Sequence, residues 1–144
     1  MSKVWYKIFN TKSYEHIPGL IWIQPHTLCS LENSIQASID SFHDHHDWPD
    51  MWDMDEAKKR LEQGHDLFLG MDQDGPLAHV WFDKDYLYNA YVNPIREEGY
   101  GVSFIQACLN FLEYDYVKLY CDDWNIRAQK FFEKVGFQQE NSYI

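Results

Sequence analysis

Apolar positions along the chain recur with two periods, near 2 and near 3.6, and the switches between them mark the elements. Residues 4–9 form an apolar and aromatic run that predicts a first strand. Leu28, Leu31, Ile35, Ile39 and Phe42 then recur at helical spacing and predict an amphipathic helix whose stripe is core. Asp53 followed by Glu56 makes a capping-box-like start, Ala57 and Leu61 share a face and Gly64 supplies a left-handed stop, so a second helix is expected over 54–63. Residues 66–71 and 77–82 read as strands joined through Asp72-Gln73-Asp74-Gly75, whose Asp-Gly step is a hairpin signal. A third consecutive strand over 86–92 ends at Asn93-Pro94, because proline lacks the ladder donor and biases its predecessor away from helix.

Beyond Val102, Ile105, Leu109 and Leu112 trace one helical face, and 117–121 alternates as a strand does. Ala128, Phe131, Phe132 and Val135, spaced i, i+3, i+4 and i+7, predict a last helix capped by Asp123 and stopped by Gly136. The series is strand, two helices, three strands, helix, strand, helix and a short tail, read as one domain over 1–144. It predicts an α/β (α+β) fold with a mixed, mostly antiparallel sheet, in which a strand–helix–strand crossover makes one central parallel pair flanked by helices. Where parallel strands feed a helix N-terminus, an anionic ligand finds backbone donors.

Composition narrows the chemistry. With 45% hydrophobic residues in 144 there is material for one core, and a 17% aromatic share means that large rings fill it or line a cleft. The net charge of −11 repels a phosphate backbone, which argues against a nucleic-acid surface or an anionic membrane partner and suits a cationic amine better. Cys29, Cys108 and Cys121 are odd in number and widely spaced, so no disulfide framework is written and a reducing cytoplasm is expected. No run approaches the roughly 20 apolar residues of a membrane helix, and the first residues reach Lys7 without a signal-like stretch, so a soluble, unprocessed protein is expected.

Arg96-Glu97-Glu98-Gly99-Tyr100-Gly101 lies between the third of the consecutive strands and the next helix. A pyrophosphate needs convergent N–H donors at a helix mouth, and Gly99 and Gly101 would let it approach the backbone. This spacing resembles the Arg/Gln-x-x-Gly-x-Gly/Ala signature of the GNAT superfamily of N-acetyltransferases, and Tyr91-Val92-Asn93-Pro94 before it looks like that family's strand end. Downstream, Asn125, Ala128, Glu133, Lys134, Gly136 and Phe137 resemble its Asn-x-x-Ala helix ending in Glu-Lys-x-Gly-Phe. The resemblance covers about 66–137, and the first half agrees only in its strand–helix–helix order. It implies a GNAT-like fold and acetyl-CoA (CoA) as cofactor, bound at Tyr91 and Val92, at Arg96, Glu97, Glu98, Gly99, Tyr100 and Gly101, and at Asn125. In that reading Val92 offers backbone bonds to the pantetheine arm, the loop cradles the pyrophosphate and Asn125 holds the pantetheine. On its own chemistry Asn125 is equally a helix-start residue.

The sequence also departs from the family. Many members carry a tyrosine four residues before the glycine of the Gly-Phe step, where it protonates the departing thiolate; Phe132 stands there and has no proton to give. After Phe137 there is room for one short strand and not the family's closing pair, so a second copy in a homodimer, or the N-terminal half with Trp22, Trp48 and Trp52, is expected to complete the acceptor wall. Asp85 and His79 are the candidate catalytic bases, with Asp83 beside them. His43, His45 and His46 with Asp44 and Asp47 have ligand chemistry but poor spacing and no second ligand group elsewhere, so no metal is expected. The composite reading is an acetyl-CoA-dependent N-acetyltransferase acting by direct transfer on a primary amine of a small molecule or peptide. The alternative is a catalytically weak acyl-CoA-binding module or interaction subunit. A dinucleotide-binding fold is disfavoured because no Gly-x-Gly-x-x-Gly follows the first strand.

Overall fold

The computed structural model describes residues 3–9, 17–24, 27–45, 53–93 and 99–140, without the side chains of 28–29 and 42–45. The elements run β1 (Lys3–Phe9), β2 (Leu20–Ile23), α1 (Leu28–His45), α2 (Met54–Glu62), β3 (Asp66–Asp72), β4 (Gly75–Asp83), β5 (Tyr86–Val92), α3 (Tyr100–Phe111), β6 (Tyr116–Asp122), α4 (Ile126–Val135) and β7 (Gln138–Gln139). All seven strands join one sheet in the order β2-β3-β4-β5-β6-β1-β7. Only the β5/β6 neighbours are parallel, so the expected mixed architecture is the one found. No described helix is long and apolar enough to cross a membrane.

Strand alternation sorts the core into two layers. Phe68, Val80, Phe82, Leu87, Leu119 and Tyr6 meet Phe104 and Leu109 of α3 and Phe132 and Val135 of α4. On the opposite face Leu67, Leu69 and Trp81 meet Ile35 and Ile39 of α1 and Ala57 and Leu61 of α2. α2 starts as its sequence dictates, with Asp53 accepting from the Glu56 N–H at 2.9 Å, but Glu56 reaches forward to Arg60 instead of back to the cap. Burying residues of Phe and Leu size at such positions stabilises by about 1.5–3 kcal/mol each, which is why the two apolar stripes decide the layers.

The expected series of elements is corrected by one strand. Leu20–Ile23 is a strand that the periodicity did not reveal, turned into place by Gly19 at φ +83°, whose carbonyl accepts from the Met71 N–H. This strand, and not β1, precedes the helix pair and pairs with β3. β1 crosses to the other side of the sheet and lies antiparallel to β6, from Lys3↔Asp122 to Phe9↔Tyr116. The two-residue β7 then pairs on the outer edge of β1, fixed further by Glu140 N–H to the Trp5 carbonyl at 2.8 Å and by the Lys7–Glu140 ion pair. Beyond β6 the sheet thus continues with β1 and the tail of the same chain. Trp22 lies on β2 at the far edge, bonded to Asp66 and packed on Phe111, while Trp48 and Trp52 fall outside the described residues.

Candidate functional site

The central parallel pair does not stay closed. β5 and β6 register at Tyr86↔Lys118, where the Lys118 N–H donates to the Asp85 carbonyl at 2.8 Å, and no further pairing joins them among the described residues. A bulge accompanies the divergence. His79 pairs with Tyr91 and Trp81 with Tyr88, so Asn89 and Ala90 together oppose Val80. An extra residue bends the strand that carries it and raises its twist. Asn89 sits at φ +51°, in the left-handed region that asparagine tolerates better than most residues.

The ladder also tells which way the peptides of β5 point. The Asn93 N–H donates to the Leu77 carbonyl at 2.8 Å, so 77/93 and, two steps on, 79/91 are the bonded pairs of this antiparallel ladder. Val92 lies between them and turns its own N–H and C=O to the other edge, toward the gap. Tyr91 has its peptide in the ladder and its ring buried beside His79, so of the two it is Val92 whose peptide faces the gap.

The C-terminal ends of β5 and β6 lead to the N-termini of α3 and α4, whose first N–H groups have no intrahelical acceptor. Gly99 caps α3 at φ +93° with open space where a side chain would stand, which suits a bound anion. Gly101 is different. A Cβ there would lie 2.9 Å from a Phe131 ring carbon and 3.2 Å from Val92 Cγ2, so the missing side chain of this glycine is needed for packing against α4 and β5. Tyr100 likewise turns inward, stacked on Phe104 across Gly70. Arg96, Glu97 and Glu98 fall outside the described residues. Asn125, not Asp123, caps α4, its Oδ1 accepting from the Ala128 N–H at 3.2 Å.

The two candidate bases do not converge. Asp85 is at the β4–β5 turn and lines an open pocket of about 400 Å³ with Trp5, Asp83, Lys84, Tyr86 and Lys118. His79 is buried, with Nδ1 2.6 Å from Ser38 Oγ and Nε2 3.3 Å from Asn89 Oδ1. Phe132 is 8% exposed and packs edge-on against Phe131 and Phe137. Cys121 is pushed up to about 11 by burial and then by Asp122, and burial raises Cys108 well above the ordinary thiol, so both are neutral thiols near pH 7.

Sequence reasoning missed the surface beside the pocket. Rings contact one another from β1 to β4: Trp5 with Tyr120, Tyr120 with Tyr86, Tyr86 with Tyr88 and Tyr88 with Trp81. Burial, then the adjacent Tyr120 phenol, raises the Tyr86 phenol above the usual range. Tyr88 is bonded to His65, and His65 Nε2 stands 3.9 Å from Asp83. Period-2 placement of aromatics on successive strands was the available signal, legible only once strand order is known. The described residues contain no group of three or more metal-ligating side chains, and the histidine-rich segment at 43–47 lies outside the described side chains.

No protein-family model matches the chain, and no curated protein matches it. Solved structures share its fold. An aminoglycoside acetyltransferase from an uncultured soil metagenomic sample, in complex with trehalose, superposes over 87% of this chain and 91% of its own with a TM-score of 0.63 at 15% identity. The same enzyme in complex with sisomicin gives a TM-score of 0.62. A Novosphingobium aromaticivorans protein described as an acetyltransferase from the GNAT family covers 98% of this chain and 62% of its own, with a TM-score of 0.61 at 10% identity. A Drosophila protein matches 96% of this chain at 11% identity and a TM-score of 0.63, and the chain spans about half its length, 47%. The fold neighbours of this chain thus include acetyltransferases of the GNAT type; at these identities the likeness is one of fold.

Proposed function

We propose that this chain transfers an acetyl group from acetyl-CoA to a primary amine of a small molecule or peptide, by direct attack of the amine on the thioester. The observation that carries the reading is the divergence of β5 from β6, with the Val92 peptide turned into the gap and Gly99 opening the mouth of α3 at its end. A pantetheine arm is an extended chain of amides, which such a strand edge accepts as a further strand would be accepted. The gap also fits the anionic end of the cofactor, since two helix N-termini flank it. Direct transfer is supported by the protonated state of Cys108 and Cys121, neither of which is poised as a nucleophile. The aromatic row from Trp5 through Tyr120 and Tyr86 to Tyr88 and the net charge of −11 favour an acceptor that is cationic before it reacts. Asp85 is the candidate base that solvent reaches, and with Phe132 in the acid's place the departing thiolate takes its proton from water.

Thermal melts with acetyl-CoA, CoA, NAD and ATP, followed by thiol release over a panel of primary amines, test the proposal. The first two ligands should stabilise the fold by about 2.7 kcal/mol at 100 times their dissociation constants, and NAD and ATP by much less. No shift at millimolar acetyl-CoA would overturn it. Binding without thiol release for any amine would favour the acyl-CoA-binding module that Phe132 also suits.

A further inference from the structure

We propose that Ser38 and His79 are positioning residues that hold the Asn89 bulge of β5, and through it the β5 peptides that face the gap, where the acyl-CoA reading above, on which this inference rests, would set the acyl group. Ser38 at 1% and His79 at 3% exposure are the buried polar side chains of the described core, and they touch. Buried polar groups are costly unless paired, so a serine and a histidine kept inside three packed elements require a use. Asn89 Oδ1 is an acceptor only, so the neutral ring that satisfies both contacts carries its proton on Nε2 and accepts at Nδ1 from the Ser38 hydroxyl at 2.6 Å. The chain of donors therefore has one direction, from α1 through β4 to the bulge of β5.

Its end point is where β5 is least held by the sheet. Asn89 and Ala90 have one residue of β4 to share, and the other edge of β5 has already parted from β6. A left-handed backbone is disfavoured for a non-glycine residue, less so for asparagine, and the bond from His79 helps hold Asn89 there while fixing the carboxamide. Freed of it, the bulge can shift along β5 and take with it the peptide groups between Asn89 and Val92. The imidazole thus acts on the reaction through backbone geometry, which accounts for a histidine beside the gap that solvent does not reach.

Acetyl-CoA and CoA differ by the acetyl group alone, so the ratio of their dissociation constants isolates what the bulge contributes without knowledge of the acceptor. Calorimetric titration of both ligands is carried out on wild type, Asn89→Gly, Ser38→Ala, Ser38→Thr and His79→Gln. Asn89→Gly keeps the left-handed backbone accessible while removing the side chain. It and Ser38→Ala should bind CoA as wild type does, while the ratio shifts against acetyl-CoA by about fivefold, the factor one net hydrogen bond is worth. Ser38→Thr, which retains the hydroxyl, should restore the wild-type ratio. Nitrogen-15 spectra of the imidazole should show His79 as the Nε2–H tautomer in wild type and a mixed state in Ser38→Ala. An unchanged ratio in variants that bind CoA, or an Nδ1–H tautomer in wild type, would overturn this inference alone. Wild type that binds neither ligand would overturn the acyl-CoA reading and this inference with it.

Discussion

Gly101 has neighbours where its Cβ would stand and Gly99 has none, so the two glycines respond differently to substitution. In Gly101→Ala the new methyl would stand 2.9 Å from Phe131 Cε1, 3.2 Å from Val92 Cγ2 and 3.3 Å from Phe131 Cζ, all inside the contact distance of about 3.5–4.0 Å at which carbon atoms attract. Inserting a methyl into filled space costs about 1–3 kcal/mol. Against this, alanine is favoured over glycine by up to about 1 kcal/mol in a helix interior, and by less here because Gly101 is the second residue of α3. The clash wins, for a net loss of about 1–2 kcal/mol, or a Tm lowered by roughly 3–10 °C in a chain of this size. The assay is a set of melts on wild type, Gly101→Ala, Phe131→Leu and the double variant, each titrated with CoA. Phe131→Leu removes the ring edge, so the double variant should be more stable than the sum of the single losses predicts. CoA affinity should hold in all that fold, since the missing Cβ faces protein. A Gly101→Ala protein that melts with wild type yet loses tenfold in CoA affinity would refute the reasoning. Gly99→Ala provides the contrast: with no atom within 4 Å of its Cβ and φ at +93°, its cost is backbone strain and Phe131→Leu should not relieve it.

Two further predictions use the core beside the gap. Phe132→Tyr should destabilise by about 1–3 kcal/mol, without a gain in thiol release, because its hydroxyl would enter the cluster with Phe131 and Phe137; an unchanged melt with a tenfold faster release would instead place the ring edge at the thioester. Tyr6→Phe should cost about 1.5–3 kcal/mol, since the phenol donates to Glu133 Oε2 at 3.0 Å. Burial, then Glu133, lifts the Tyr6 phenol from 10.0 to about 12, so the unfolded chain ionises first as pH rises. The stability gap between wild type and Tyr6→Phe should therefore be full below pH 10 and close toward pH 12; a gap unchanged across that window in urea titrations would count against the bond.

What could be read in the sequence follows from which interactions are local. The strands at 66–72, 75–83 and 86–92 and all four helices announce themselves because period, caps and turn residues lie within each segment. Leu20–Ile23 escaped because four apolar residues have no alternation to show. The move of β1 to β6 escaped because period says which face a strand buries and nothing about its partner. At the candidate site, the end of β5 was legible from Asn93-Pro94 and the start of α3 from the glycine-bearing turn, while a role for Val92 came only from the family resemblance. His79 was singled out for its chemistry, but its role depends on burial between Ser38 and Asn89, which a one-dimensional pattern does not carry. Gly101 and Tyr100 fit the motif, yet Gly101 is explained by its contacts with Phe131 and Val92, and Tyr100 by its stack on Phe104.

The place of β1 sets an order of events in synthesis. Its partner β6 and its anchor on α4 are made last, with Tyr6 reaching Gln129 across 123 residues of sequence. At roughly 5–20 residues per second, the strand waits on the order of ten seconds before anything it pairs with exists. Contacts of such long separation are also the slow ones to close in refolding. The β3–β4 and β4–β5 hairpins have adjacent partners and no such wait. The chain therefore acquires its core from the middle outward and completes the far wall of the β5/β6 gap at the end, so a nascent or partly refolded molecule has its α1/α2 layer in place before it has a finished cleft.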